Sequence, residues 1–292
     1  MQQPVIIGLG EVLWDVFPDY KRAGGAPANV AFHARQLGND GIPASRVGRD
    51  DNGRELLSVL SSHSLDTSCI QIDDTAPTGT VQVTITDGEA SYTIPKGVAW
   101  DRLALTSQWL TLAQRADAVC FGTLAQRDEV SRKTIREFLA QTPKSCLKIA
   151  DINLRPPHYK KEIIEASLDL ADVIKLNEQE WKELKRMFGL EDFKSWLFDA
   201  KNVRIICLTK GSDGAELITP EEHYIEPVHP VEGSNGDSVG VGDAFTAGLT
   251  HHLLRNSPLD VAIAAANKYA AHVFARKGAT PELPAAVIES IT

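Results

Sequence analysis

A glycine-rich segment with two aspartates lies just before a helical pattern near the C-terminal end of the chain. It reads GSNGDSVGVGDAFTAGLTHHLLR over residues 233–255, and apolar residues recur at three- and four-residue spacing from Ala244 onward. Glycine costs about 1 kcal/mol per residue against alanine inside a helix, so its accumulation indicates a turn or a close backbone approach. Unpaired N–H groups at a helix N-terminus bind anions. The segment therefore predicts an anion site, and an ordinary turn with a dipole-stabilising aspartate is the alternative. The residues concerned are Gly240, Val241, Gly242 and Asp243.

Polar residues also follow several of the predicted strands. In open α/β sheets, ligands bind outside the carboxyl ends of the strands, so such side chains would line one crevice. Each could instead be a cap or turn residue, with Asn177 capping a helix and 211–214 forming a hairpin turn. Their coincidence at so many strand ends favours a binding site. These residues are Asp15, 24–29, Asp151, Asn153, Arg155, Asn177, Glu180 and 209–214.

The elements that must position these residues follow an alternating pattern. Short, β-branched apolar runs alternate with amphipathic stretches, which indicates βαβ units and a central, mostly parallel sheet with helices on both faces. The predicted strands are PVIIGLG, ASRVG, DAVCFG, LKIADIN, DVIKLN and VRIICLT. The predicted helices cover 26–38, 51–62, 128–141, 159–170 and 178–188.

Residues 78–94 break this pattern. The run TGTVQVTITDGEASYTI alternates with a two-residue period, and its Asp87-Gly88 is a hairpin signal. An antiparallel insertion in a parallel fold predicts a small β-sheet lid, formed by about 12–20 and 78–100. The chain contains no internal repeat, low-complexity tract or linker, so residues 1–292 are expected to form a single domain.

Composition excludes several classes of protein. The 292 residues are 43% hydrophobic and 24% charged, as in an ordinary globular protein. The net charge of -9 argues against non-specific binding to nucleic acid or to an anionic membrane. No apolar run approaches the roughly 20 residues of a membrane span. The start does not resemble a signal peptide, and four dispersed cysteines without a CxxC pair indicate core thiols, so a cytoplasmic protein is expected.

Several common catalytic motifs are missing from the sequence. The turn GLGEVL has Leu13 where a dinucleotide fingerprint needs its third glycine, and no helix follows it directly. The sequence has no GxxxxGK[ST], GxSxG or HExxH motif. The adjacent His251 and His252 are interpreted as structural residues rather than ligands, because neighbours on a helix point in different directions.

An ordered set of motifs resembles the ribokinase-like, or PfkB, family of carbohydrate kinases over nearly the whole chain. The segment DSVGVGD is close to the family's D[ST]xGAGD, and the opening GEVLWDVFP with GGAPAN and DINLRP is most similar to the fructokinase branch. Two features depart from the family pattern: Val241 stands where a small residue is usual, and EGSNG precedes Asp237 where relatives have a shorter lead. The motifs are GGAPAN (24–29), VGRDDNG (47–53), DINLRP (151–156), NEQE (177–180), TKGSDG (209–214), DSVGVGD (237–243) and AN…KGA (266–279).

This resemblance implies a ribokinase-like fold and ATP-dependent phosphorylation of a sugar hydroxyl, with fructose converted to fructose 6-phosphate as the first expectation. Asp243 would be the general base and the backbone of 240–242 the anion hole. The implied sugar ligands are Asp15, Gly25, Asn29, Asn153 and Arg155. The implied ATP ligands are Asn177, Thr209, Gly211, Gly214 and Asn267. Glu180 would hold Mg²⁺ through water, and K⁺ or a similar ion would lie near Asp237, Val239, Val273, Arg276 and Gly278. The resemblance also implies a homodimer formed through the lid.

Other functions remain open at this stage. A 2-keto-3-deoxygluconate kinase, a ribokinase and a nucleoside kinase are the alternatives within the family, and a sugar- or nucleotide-binding sensor is the alternative outside catalysis. No extra basic cluster is apparent beside Asp15 or Asn29, which argues against a sugar phosphate as substrate.

Overall fold

Thirteen strands fall into two sheets in the part of the chain that the computed structural model describes, residues 3–86, 89–201, 203–231 and 236–292. They are β1 (Val5–Leu9), β2 (Leu13–Val16), β3 (Lys21–Gly24), β4 (Asp40–Gly48), β5 (Ile70–Asp73), β6 (Thr80–Thr86), β7 (Glu89–Thr93), β8 (Ala118–Gly122), β9 (Leu147–Asp151), β10 (Val173–Asn177), β11 (Ile205–Thr209), β12 (Ala215–Ile218) and β13 (His223–Glu226). The α-helices are α1 (Ala26–Gln36), α2 (Asp51–Ser62), α3 (Ser107–Gln114), α4 (Glu129–Ala140), α5 (Lys161–Leu168), α6 (Glu178–Phe188), α7 (Phe193–Lys201), α8 (Val241–Leu254), α9 (Leu259–Phe274) and α10 (Ala285–Glu289).

The larger sheet has nine strands in the order β13-β12-β11-β10-β9-β8-β1-β4-β5. Neighbouring strands from β11 to β5 are parallel, and β12 and β13 add an antiparallel edge. The predicted mostly parallel α/β fold is therefore confirmed. Because the strands run in parallel, the loops at their carboxyl ends meet along one edge, where most of the candidate residues lie.

Two hydrophobic cores cover the faces of this sheet. Ile7 of β1 packs into a core with α3 to α7, whereas its neighbour Ile6 packs into a core with α1, α8 and α9. This alternation is the two-residue period of a strand that is buried on both sides. Within the described residues, no helix has the length and apolarity that a membrane crossing requires.

The predicted helix bounds agree closely with the observed ones where the pattern was strongest. α2 and α6 have the predicted bounds 51–62 and 178–188. α8 begins at Val241, three residues before the start of the apolar pattern at Ala244, so the glycine-rich turn itself enters the helix. The segments forming α3, α7, α9, α10, β5 and the edge pair β12–β13 were not predicted as elements.

The smaller sheet has the strand order β3-β2-β6-β7. β2 pairs with β6 in parallel, and the other two pairs are antiparallel. It thus joins the segment around 13–16 to the 80–93 hairpin, as the two-residue period predicted, and adds β3, which leads directly into α1. The predicted turn at Asp87-Gly88 and residues 232–235 of the EGSNG segment lie outside the described residues. The role of this sheet as a lid stays a prediction.

Candidate active site

Two backbone N–H groups at the start of α8, those of Gly240 and Gly242, have no hydrogen-bond acceptor among the residues that the structure describes. Gly240 is the N-cap residue, with a φ of 74° and no side-chain cap. A Cβ atom at this position would lie 2.4 Å from the carbonyl oxygen of Ala279, so both conformation and space require glycine. Among the described residues, none accepts a hydrogen bond from the N–H of Gly240 or Gly242, and Val241 N lies 3.5 Å from Ser238 O. This helix start therefore has the geometry of an anion site.

Asp243, in the same turn, contacts the helix that carries the candidate sugar ligands. Asn29 Nδ2 of α1 donates to Asp243 Oδ2 at 2.7 Å, and both side chains are buried. Burial raises the pKa of Asp243 to about 7, and the nearby Asp151 carboxylate acts in the same direction. The Asn29 hydrogen bond, Lys175 and Arg155 partly oppose this rise. A carboxyl group of this kind can exchange a proton near neutral pH.

Asp15 lies on β2 of the small sheet, facing the turn before α1. One of its carboxylate oxygens is 2.5 Å from where a Cβ of Gly24 would lie. Burial raises the pKa of Asp15 to about 6, and the charges of Arg155 and Arg22 lower it. Two arginines therefore act on this carboxylate. Arg22 lies opposite Asp15 in the β2–β3 pair, and Arg155 belongs to the DINLRP motif.

The remaining sugar candidates lie on loops near these groups. Gly25 is the N-cap residue of α1, and its carbonyl oxygen accepts from Asn29 N at 3.0 Å. Asn153 follows β9 with a φ of 41°. Arg155 is exposed, and its Nη1 donates to Leu154 O at 3.1 Å.

Asn177 and Glu180 form a capping box at the start of α6. Asn177 Oδ1 accepts from the N–H groups of Gln179 and Glu180, both at 2.9 Å, and Glu180 Oε2 accepts from Asn177 N at 2.8 Å. The interpretation of Asn177 as an N-cap is thus correct. Glu180 Oε1 also accepts from Leu154 N at 2.8 Å, which ties the DINLRP loop to α6. Each carboxylate oxygen accepts one bond here and keeps a lone pair for a metal-bound water.

The predicted ATP residues after β11 and on α9 are partly engaged in structural contacts. Gly211 belongs to the turn Gly211–Asp213, which connects β11 to the antiparallel β12, so the hairpin interpretation of 211–214 describes the backbone correctly. Thr209 Oγ1 lies 3.5 Å from Leu176 O. A Cβ at Gly214 would lie 2.0 Å from Glu226 O. Asn267 Nδ2 donates to Pro227 O at 2.6 Å and thereby ties α9 to the segment after β13.

The candidate monovalent-cation region is held together by Asp237. Its carboxylate accepts from Val239 N at 3.1 Å and Gly278 N at 3.2 Å, and its own N–H donates to Arg276 O at 3.2 Å. Arg22 Nη1 of β3 lies 3.1 Å from Asp237 Oδ2. The small sheet is therefore linked to the turn before α8 by an ion pair. Val273 O, near the end of α9, accepts from Arg276 N at 2.9 Å.

Metal ligands of the usual clustered kind do not occur in the described residues: no group of three or more His, Cys, Asp and Glu side chains converges there.

Three charged residues of the site were not found from the sequence. Lys175 is buried on β10 and pairs with Asp151 at 2.9 Å. Glu11, after β1, is buried with Oε2 unpartnered among the described residues, and burial raises its pKa. Arg22 makes the ion pair described above. The charge of Lys175 within the apolar run DVIKLN was a usable signal, whereas nothing in the local pattern distinguishes Arg22.

Comparison with known families decides the classification. The family model described as pfkB family carbohydrate kinase matches residues 12–286. The chain belongs to this family. One relative is an uncharacterized sugar kinase from Pyrococcus horikoshii. It is 30% identical in sequence to this chain, and the match covers 82% of this chain and 76% of the relative. A probable fructokinase from Arabidopsis thaliana is 29% identical over 97% of the chain and 90% of its own length.

Solved structures of pfkB-type kinases have the same architecture. The Pyrococcus protein superposes with a TM-score of 0.82 at 28% identity, covering 94% of this chain and 93% of its own, and it has also been solved in complex with ATP. A fructokinase from Xylella fastidiosa with bound ATP gives a TM-score of 0.87 at 21% identity, covering 98% and 97%. The resemblance to the ribokinase-like family is confirmed.

Proposed function

We propose that this carbohydrate kinase transfers the γ-phosphoryl group of ATP to a sugar hydroxyl, with fructose as its preferred acceptor and O6 as the position. The main support is the hydrogen bond between Asn29 and Asp243, because it joins the candidate sugar helix to the buried carboxyl group at the open start of α8. The fructokinase names of the Arabidopsis and Xylella relatives support the choice of sugar.

In this proposal, Asp243 accepts the proton of the attacking hydroxyl. Asn29 orients the carboxylate, and Asp15, Gly25, Asn153 and Arg155 hold the other hydroxyls of the sugar. A carboxylate that accepts two hydroxyl hydrogen bonds suits a neutral polyol. General base catalysis of this kind contributes about 10²–10⁴-fold to the rate.

The backbone N–H groups of 240–242 stabilise the negative charge that develops on the phosphoryl group. Asn177, Thr209, Gly211, Gly214 and Asn267 bind ATP. Glu180 holds Mg²⁺ through water, and the ion neutralises phosphate charge when it is bound. Support for this role comes from the spare lone pairs on both Glu180 oxygens and from the tie between Glu180 and the DINLRP loop.

The small sheet closes over the sugar and excludes water, since hydrolysis of ATP would compete with transfer. We also propose that the small sheet pairs two copies of the chain, as the family resemblance implies. We further propose that the protein works in the cytoplasm. The compartment is supported by the four cysteines, all of which are buried free thiols.

A coupled kinase assay over fructose, ribose, 2-keto-3-deoxygluconate and adenosine tests the proposal, with NMR of the product to locate the phosphate. We expect the highest kcat/KM for fructose. A value for ribose or ketodeoxygluconate ten times that for fructose would refute the sugar assignment. Absence of turnover with every acceptor would leave a sugar or nucleotide sensor.

One observation favours ketodeoxygluconate as the second candidate. The positive charges of Arg22 and Arg155 both act on Asp15, so a substrate carboxylate near this residue would find two cations. The same panel separates the two sugars, because fructose has no charge for these arginines to bind.

A further inference from the structure

Lys175 is a buried lysine that the proposed reaction leaves without a role. Its side chain on β10 is 10% exposed, and Nζ donates to both carboxylate oxygens of Asp151, at 2.9 and 3.2 Å. Thr246 of α8 has its Oγ1 3.5 Å from Asp151 Oδ2 and donates to the carbonyl oxygen of Gly242 at 2.9 Å. The ion pair is therefore in contact with the first two turns of α8.

The ammonium group lies beside the candidate anion turn. A Cβ atom on residue 242 would be 2.8 Å from Lys175 Nζ, closer than real Cβ contacts come. Glycine at this position thus allows the backbone and the ammonium group to approach each other. Although burial opposes it, the carboxylates of Asp151, Asp243 and Glu180 raise the pKa of Lys175, so the lysine is charged at all relevant pH values.

We propose that Lys175 is a positioning residue for phosphoryl transfer: held by Asp151, its ammonium group supports the anion turn at Gly242 and places a fixed positive charge beside it. The inference rests on the proposed kinase reaction at Asp243.

Stability alone gives little reason for the buried ion pair between Lys175 and Asp151. A buried ion pair gains little over a well-packed apolar pair of similar volume, because desolvation offsets the Coulomb attraction. The location, in contrast, is electrostatically useful. Without Lys175, the Asp151 carboxylate would oppose the negative charge arriving at the turn, and in a poorly solvated site such an interaction is strong.

The charge of Lys175 also acts on the ionisation of Asp243. The groups that face Asp243 are Asp151, which disfavours its carboxylate form, and Lys175, Arg155 and the Asn29 amide, which favour it. Replacing Lys175 with a neutral residue removes one favourable charge and leaves Asp151 uncompensated. The acidic limb of the pH–rate profile should therefore move to higher pH.

The test compares Lys175→Met with the double variant Lys175→Met/Asp151→Asn and with the matched control Lys201→Met. The Lys201 side chain is likewise little exposed, at 9%, and pairs with two more exposed carboxylates, Glu165 at 3.2 Å and Asp169 at 2.7 Å, between α7 and α5. Each variant is measured for thermal unfolding, for kcat and for the pH profile of kcat/KM, with the best sugar of the panel.

We expect Lys175→Met to lower kcat by about 10–100-fold, less than the 10²–10³-fold lost with a direct oxyanion donor, and to shift the acidic limb upward. Lys201→Met should lose thermal stability but keep kcat and the limb. In the double variant the loss of one positive and one negative charge leaves the ionisation of Asp243 nearly unchanged. The acidic limb of its pH profile should therefore return toward that of the wild type. Its kcat should stay at least about tenfold below the wild-type value, because the positive charge at the turn is missing.

Two results would overturn the inference: Lys175→Met with kcat within twofold of the wild type and an unmoved limb, or a double variant with full kcat. If Lys175→Met does not fold, the double variant decides, because it contains no unpaired buried charge. Failure of the proposed function is a different result, since the wild type itself would then turn over no sugar.

Discussion

Two helices at the same edge of the sheet begin in opposite ways. α6 begins with a complete capping box, in which Asn177 and Glu180 satisfy one another's backbone donors. α8 begins at Gly240 without any side-chain cap, and the N–H groups of Gly240 and Gly242 have no acceptor in the described part of the chain. A helix start normally gains about 1 kcal/mol from a cap. The capped start of α6, here called the closed start, holds neighbouring residues in place. The uncapped start of α8, the open start, has backbone N–H groups that can bind a ligand.

The charged residues around the two starts follow the same division. At α6 the Glu180 carboxylate accepts two backbone N–H groups and fixes the loop of Leu154. At α8 the Asp243 carboxylate accepts from Asn29, its one hydrogen-bond partner within the described residues, and has a pKa raised by burial to about 7. A carboxyl group with a pKa near neutrality is suited to proton transfer, whereas a carboxylate that accepts two backbone N–H groups fixes the loops that donate them.

The largest expected effect comes from removing the acid at the open start. Asp243→Asn keeps the side-chain volume but cannot take up a proton, so kcat should fall by about 10²–10⁴-fold. The lost interaction belongs to the transition state, so the sugar Kd should change little. Kinetics and calorimetry on one preparation test this. A variant that keeps more than about a tenth of wild-type kcat would show that Asp243 is not the base.

The role of Asp243 should also appear in the pH dependence of kcat/KM and of stability. Wild-type kcat/KM should fall about tenfold per pH unit below about 7, because only ionised Asp243 accepts the proton. The folded pKa lies above the unfolded value of 3.8, so this group makes folding less favourable as pH rises from about 4 to 7. Asp243→Asn should therefore be more stable than the wild type at pH 8. An Asn variant that is less stable there would contradict the assignment of a buried, costly carboxylate.

The sequence predicted one of these helix starts better than the other. The bounds of α6 and its cap at Asn177 followed from local pattern, because a capping box is made of residues three positions apart. The open start of α8 followed from glycine composition. The ion pairs of Lys175 and Arg22 could not be predicted from the sequence, because their partners Asp151 and Asp237 are distant in the chain and meet them only in the folded structure. The antiparallel edge β12–β13 was missed since its short strands give little periodic signal.

A smaller effect is expected at the closed start. Asn177→Ala should lower the free energy of unfolding by about 1 kcal/mol, whereas Asn177→Ser should retain most of it, because serine is an equally good cap. Urea unfolding measures both. The Ala variant should also need more Mg²⁺ for half-maximal rate, since the Glu180 backbone N–H loses its bond to Asn177 Oδ1 and the helix turn that carries Glu180 is held less firmly.

The matched control for this effect is Thr106→Ala at the start of α3, where the Thr106 side chain accepts from Trp109 N at 3.2 Å. It should lose similar stability with an unchanged Mg²⁺ requirement. Equal Mg²⁺ curves for the two alanine variants would mean that the capping box at α6 serves stability alone.

The smallest effect concerns a cation that would order the open start from outside. We expect K⁺ to activate the enzyme, because an ion among the carbonyl groups near Arg276 and Gly278 would fix the loop of Asp237 that leads into α8. Arg22 already places a positive charge on Asp237, and both side chains are 32% exposed. Exposed pairs contribute only about 0–1 kcal/mol, so Arg22→Gln should change the K⁺ concentration for half activation by at most about fivefold.

Arg54→Gln, which removes an exposed arginine paired with Asp51 on α2, is the control and should change nothing. Rates in KCl, NaCl and tetramethylammonium chloride at matched ionic strength provide the measurement. Equal rates in all three salts, for both the wild type and Arg22→Gln, would show that α8 needs no ion beside its open start.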